Sequence, residues 1–261
     1  FSVFALDATD IAYTVNLLSV FSSAFTILFM FWSLTLLLKR HILKDQANDL
    51  MVLGAAAIGS LAYAVTDSFW FNAAEAEVYA PASLLMASIF YLGLLWERDM
   101  SEPRGNRWLI LISFITGLSF GVHFLALLTI PAIGLLWYFH HYKNITVFNF
   151  IVANIAVIAV LLFVFLFLGP YTLAIFGYLE LFFVNDIGLP FNSGTIIALL
   201  LIVTLFAFLI SLSRKRNLPL LNTITLCIMF VLVGFSSWTM LPIRANAGTP
   251  INENRPEDAR A

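Results

Sequence analysis

Seven apolar stretches, at about 17–38, 50–66, 78–96, 108–139, 147–168, 195–212 and 220–241, contain no Asp, Glu, Lys or Arg at all. A bilayer core of about 30 Å takes about 17–25 helical residues to cross, and every stretch reaches that range or exceeds it. Lipid offers no partners to unpaired backbone groups, so helices are predicted throughout. The ten-residue alternation of a membrane barrel is missing. Across the 261 residues, 61% are hydrophobic and only 11% charged, where a soluble domain carries roughly 25% charged residues. With 13 basic and 15 acidic side chains, the chain cannot cover a water-facing surface. A soluble enzyme, a nucleic-acid binder and a disordered linker are excluded. The expected fold class is all-α, a polytopic transmembrane helical bundle.

Between the stretches lie polar connectors at 39–49, 67–77, 97–107, 140–146 and 213–219. The segment 169–194 mixes Glu180, Asn185 and Asp186 with aromatics, which reads as a helix lying in the interface. The 108–139 run corresponds to about 48 Å of helix, long for one comfortable span. Gly117, Gly121 and Pro131 interrupt it, so it reads as two short helices returning to the starting side. One kinked span is the alternative. The expected organisation is a membrane domain over 1–242, with about six full spans plus the short pair. An extracytoplasmic segment begins at 243. The chain opens at Phe1 without an initiator Met, and both ends read as cut from a longer polypeptide.

Sidedness follows from loop charge. With the pair, Lys39, Arg40, Lys44, Arg98, Arg104, Arg107, Lys143, Arg214, Lys215 and Arg216 fall on one face, predicted cytoplasmic. Arg244, Arg255 and Arg260 fall on the other, together with most acids. Cys227 stands alone inside an apolar run, and His140-His141 read as interfacial.

Chemistry concentrates in Thr66-Asp67-Ser68-Phe69-Trp70-Phe71-Asn72-Ala73-Ala74-Glu75-Ala76-Glu77-Val78-Tyr79. Three carboxylates here sit at a membrane boundary among aromatic anchors, and ionisable groups at membrane depth mark sites because they are costly to place there. A continuous helix would align Asp67, Phe71, Glu75 and Tyr79 and turn Glu77 away, whereas an extended turn would put both glutamates on one side. A solvated turn with an aromatic belt is the plain alternative. His123, just past the Gly-rich break, reads either as a hydrogen-bonded neutral ring or as a proton or phosphate contact. Arg244 reads as a snorkelling anchor or an anion clamp. Asn252 and Glu253 belong to a polar turn, Pro250-Ile-Asn-Glu-Asn-Arg-Pro-Glu-Asp. Nucleotide loops, zinc spacings and nucleophile elbows are missing.

The run Asp67 to Ala80, then Gly117-Leu-Ser-Phe-Gly-Val-His123, then Ile243-Arg-Ala-Asn with Pro250 to Asp258, resembles the DUF2723 family of bacterial multi-spanning proteins. Animal relatives of that family are protein O-mannosyltransferases, and the family is similar to glycosyltransferases of the GT-C fold. The resemblance implies transfer of a sugar from a polyprenyl-phosphate donor to an extracytoplasmic acceptor, such as a protein hydroxyl, in a bacterial inner membrane. It implies a catalytic base or metal partner in a first external loop upstream of Phe1, so that this stretch alone is expected to be inactive. A divalent metal is the one cofactor it brings into view. Glu77 best matches the second acidic position, with Glu75 as competitor and Asp67 nearby. His123, Arg244, Trp70, Tyr79, Asn252 and Glu253 are the expected substrate contacts. Membrane lipids, the lipid-linked sugar and a protein acceptor are the expected partners, and nucleic acid is not. A transporter or lipid-binding scaffold that retains the fold without catalysis is the rival reading.

Overall fold

The computed structural model describes residues 7, 10–42 and 48–247, so Asn252 and Glu253 lie outside the described residues. The helices are α1 Ile11–Leu37, α2 Asp49–Ala64, α3 Asp67–Ala74, α4 Tyr79–Asp99, α5 Asn106–Ser119, α6 Ile130–His141, α7 Val147–Leu162, α8 Gly169–Leu181, α9 Ser193–Lys215, α10 Pro219–Phe235 and α11 Met240–Ala245. The chain is an all-α polytopic bundle. Among the described residues, six helical segments are long and apolar enough to cross a membrane, and α2 with α3 forms a further pair bent by 66°.

Local chemistry sets several helix starts. The Asn48 side chain accepts the Leu50 N–H at 2.9 Å to cap α2, and Thr146 accepts the Asn149 N–H at 3.2 Å to cap α7. Prolines open α6 and α10, where a missing N–H costs little.

Packing follows the logic of lipid rather than of water. The buried face of α1 is small and polar, with Ser19, Ser22, Ser23, Thr26 and Ser33, while Phe21, Phe25 and Trp32 point outward. Small residues let helix backbones approach, and lipid solvates the large apolar ones. Thr26 donates its hydroxyl proton to the Ser22 carbonyl at 2.8 Å, so polarity inside need not cross between helices.

The 108–139 region goes out and comes back. α5 starts beside the end of α4, where Trp108 Nε1 donates to Asp99 Oδ2 at 2.8 Å. It ends at Ser119, and a turn over Phe120–His123 leads into a 3-10 segment, Phe124–Thr129, and then α6. α6 ends where it began: His140 Nδ1 lies 4.0 Å from Glu97 Oε1, near the end of α4. The hairpin tip reaches the opposite end of α4, where the His123 and Tyr79 rings are 5.5 Å apart.

α5 lies against α10 through a glycine seam. A Cβ on Gly117 would sit 2.1 Å from the Val231 carbonyl oxygen, and one on Gly234 would sit 2.2 Å from the Phe114 oxygen. Only hydrogen at both positions permits this approach.

Residues 147–186 form one apolar helix of 40 residues, which replaces the interfacial helix expected over 169–194. Two π turns interrupt it, at Phe163–Leu168 and Phe182–Asp186. The first sits just before Pro170, whose ring nitrogen cannot donate to the preceding turn, and the wider turn absorbs the mismatch. Glu180 is not a free interfacial acid. It accepts the backbone N–H groups of Asn192 at 2.6 Å and Thr195 at 2.8 Å, capping α9.

Candidate functional site at the acidic end

Side-chain contacts sort the charges onto two ends of the bundle. At one end Lys39 pairs with Asp49 at 2.8 Å, and Arg40 with Glu97 at 2.7 Å. Asn106 donates to Thr223 Oγ1 at 3.2 Å, which brings the start of α10 there. Ser213 donates to Asn222 Oδ1 at 3.2 Å, which brings the end of α9. Of the ten Lys and Arg among the described residues, nine belong to this end: Lys39, Arg40, Arg98, Arg104, Arg107, Lys143, Arg214, Lys215 and Arg216. The tenth, Arg244, lies at the other, where the helix that begins at Pro219 runs on to Ala245.

That other end holds Asp10, Asp67, Glu75, Glu77, Glu180 and Asp186. α3 carries Asp67 in its first turn, and Trp70 stands exposed on it. The helix stops at Ala74, so a helical stripe from Asp67 through Glu75 to Tyr79 does not form. Glu75 is instead extended, at φ −104° and ψ 145°, and half-buried. Glu77 lies two residues on in the non-helical connector and is exposed to solvent. Tyr79 opens α4 and meets His123. Asp67, Glu75, Glu77 and Arg244 take part in no ion pair among the described residues, which leaves their charges available.

His123 is held in one tautomer. Its Nδ1 accepts the Leu125 N–H at 3.1 Å, so in the neutral ring the proton sits on Nε2. Beneath it Phe120 stacks edge-on against Phe124 at 5.8 Å and Phe235 at 5.3 Å, and Phe124 against Phe165 at 5.0 Å. This aromatic floor fixes the tip of the hairpin.

An apolar groove of about 300 Å³ runs between α1 and α3, lined by Val20, Ala24, Ile27, Phe69, Trp70 and Ala73. Ser23 also lines it, and its buried hydroxyl has no hydrogen-bond partner among the described residues. Ser23 was invisible to the sequence reading because a lone Ser in an apolar run carries no pattern. The structure thus joins Tyr79 to His123 and sets Asp67, Trp70, Glu75 and Glu77 on one short helix and its exit. Among the described residues it forms no ion pair between Arg244 and the acids. Among the described residues no three His, Cys, Asp or Glu converge as a metal site would require.

Residues 1–146 match the family model described as the protein O-mannosyl-transferase TMEM260 N-terminal domain. The chain belongs to this family. It is a glycosyltransferase-like membrane protein related to the mannosyltransferases. Comparison with curated proteins and with solved structures yields no match. The family region includes Asp67, Trp70, Glu75, Glu77, Tyr79 and His123, and it ends where α6 gives way to α7, well before Arg244.

Proposed function

We propose that the acidic end faces the extracytoplasmic side and takes part in transfer of a sugar, mannose first among the candidates, from a polyprenyl-phosphate donor to an acceptor hydroxyl. We place the protein with the bacterial DUF2723 proteins, in an inner membrane. The observation that carries the proposal is the uncompensated Glu75–Glu77 connector beside the His123–Tyr79 pair, inside the family region.

The chemistry is a displacement at the anomeric carbon. The bond from that carbon to the phosphate oxygen breaks, the phosphate keeps the electron pair, and the acceptor oxygen bonds to the carbon. The acceptor proton passes to a carboxylate base of the same external site, while solvent-facing Glu77, at the second acidic position, orients the acceptor hydroxyl, with Glu75 its competitor. The leaving phosphate gains charge, which the Nε2–H of His123 and the guanidinium of Arg244 offset. The groove between α1 and α3 suits an isoprenoid chain, since it is apolar and ends beside Ala74, next to Glu75.

Orientation is tested by single-cysteine labelling in a Cys227→Ala background. A cysteine at Asn72 reacts with an impermeant maleimide from outside, and one at Arg104 only after permeabilisation. The same outcome for both positions, or the reverse, ends the orientation. Function is tested with the full-length protein in membranes: radiolabelled sugar from polyprenyl-phosphate mannose appears in a protein fraction. Absence of transfer from mannose, glucose and N-acetylglucosamine donors alike, with normal expression, would retire the enzyme reading in favour of a scaffold.

A further inference from the structure

The cationic end holds a second built feature, remote from the acidic site. The turn between α4 and α5 encloses an open basin of about 570 Å³ lined by Arg98, Asp99, Glu102, Arg104, Gly105 and Arg107. Gly105 is buried, and a Cβ there would sit 2.1 Å from the Asp99 carbonyl oxygen, so the turn is drawn tightly over the helix end.

Asp99 organises the basin. Its Oδ1 accepts from Arg98 Nε at 2.7 Å, and its Oδ2 accepts from Arg107 at 3.2 Å and from Trp108 Nε1 at 2.8 Å. Arg107 also lies over the Trp108 ring, 4.7 Å from its centroid. Two guanidiniums are therefore held in place, and a single carboxylate uses only part of their donor sets, five N–H groups each. Arg104 lines the same basin, is exposed, and makes no side-chain hydrogen bond or ion pair among the described residues. Three guanidiniums converge on a space where Asp99 is already saturated with donors. Planar guanidinium forks match phosphate oxygens. Three guanidiniums against two carboxylates, Asp99 and Glu102, leave the basin net positive, which favours an anion over a metal cation.

We propose that this basin binds the phosphate of an anionic phospholipid headgroup in the leaflet at the cationic end. Depth selects a lipid over free phosphate. Trp108 is half-buried at the start of α5 and Leu109 to Ser119 run into the apolar layer, so the basin lies at headgroup level. The inference needs no assumption about sugar transfer.

The test uses the purified full-length protein in nanodiscs of phosphatidylcholine with a small fraction of labelled phosphatidylglycerol, read by retention of the labelled lipid. Arg104→Gln lowers retention about tenfold, as loss of one bidentate charge-assisted contact would. Arg216→Gln removes the same charge from the neighbouring turn and leaves retention within twofold, while Arg104→Lys falls between. Glycerol phosphate at the same headgroup concentration does not compete. Equal losses from Arg104→Gln and Arg216→Gln would reduce the effect to general surface charge and overturn the site. Competition by glycerol phosphate would overturn the assignment to lipid. Because Arg104 supports no internal contact, its variants fold as the wild type does, which a melting curve checks.

Discussion

Replacing Glu77 by Gln in the full-length protein slows sugar transfer by about 10²–10³-fold while leaving expression and melting temperature unchanged. Glu77 is exposed, lies outside any helix and joins no ion pair among the described residues, so its charge supports nothing in the fold. The amide keeps the shape and removes the charge that orients the acceptor. Asp186→Asn, an acid of the same end on the last π turn of the 147–186 helix, serves as the control and changes transfer less than twofold. Initial rates in membranes at saturating donor decide the matter. Full transfer by Glu77→Gln with loss in Glu75→Gln would move the role to Glu75. Full transfer by both would remove the connector from catalysis.

The second large effect concerns the seam between α5 and α10. Gly117→Ala places a methyl 2.1 Å from the Val231 oxygen and 2.8 Å from the Phe235 nitrogen, both rigid backbone atoms. The helices must part, and overpacking of this kind costs about 1–3 kcal/mol or more. Gly54→Ala is the counterpart, since nothing lies within 4 Å of the added carbon. It stabilises its helix by about 0.5–1 kcal/mol, because Ala has less freedom to lose. The two substitutions are chemically identical and should shift the melting temperature in detergent in opposite directions. A Gly117→Ala protein melting with the wild type would mean that the close approach of α5 and α10 is wrong.

These features differ in how far the sequence disclosed them. The apolar runs needed only composition and length, since lipid constrains every span in the same way. A run too long for one crossing called for a break, but of the three residues expected to make it only Gly121 lies in the turn at Phe120–His123, since Gly117 sits inside α5 and Pro131 inside α6. The Gly117–Gly234 seam was illegible, because Gly234 lies in another run and nothing in a single sequence pairs them. Glu97 looked like one more connector charge, yet it is buried and meets Arg40 and His140, tying the ends of α1, α4 and α6. Glu180 misled because its aromatic neighbours suggest an interface, while its partners, Asn192 and Thr195, belong to the next helix. In the candidate site the residue types were visible but their conformation was not. Whether Glu75 is helical or extended turns on where α3 stops, and helix ends are weakly marked in a run of Ala and Glu.

The single helix from Val147 to Asp186 carries a geometric consequence. Its 40 residues rise about 60 Å at 1.5 Å each, against a hydrocarbon core of about 30 Å. Spanning helices tilt by at most about 40°, which still leaves about 46 Å along the bilayer normal. Roughly 15 Å of this helix must then stand in the headgroup layer or beyond it. α7 begins at the cationic end, directly after α6, and its Asn149 and Asn154 are the only polar side chains in that first stretch, whereas Glu180, Asn185 and Asp186 mark the far end. The surplus therefore emerges at the acidic end as a ridge. That face of the protein has relief, and on the proposed reading a bulky acceptor would come in along the membrane plane from the low side rather than settle from above.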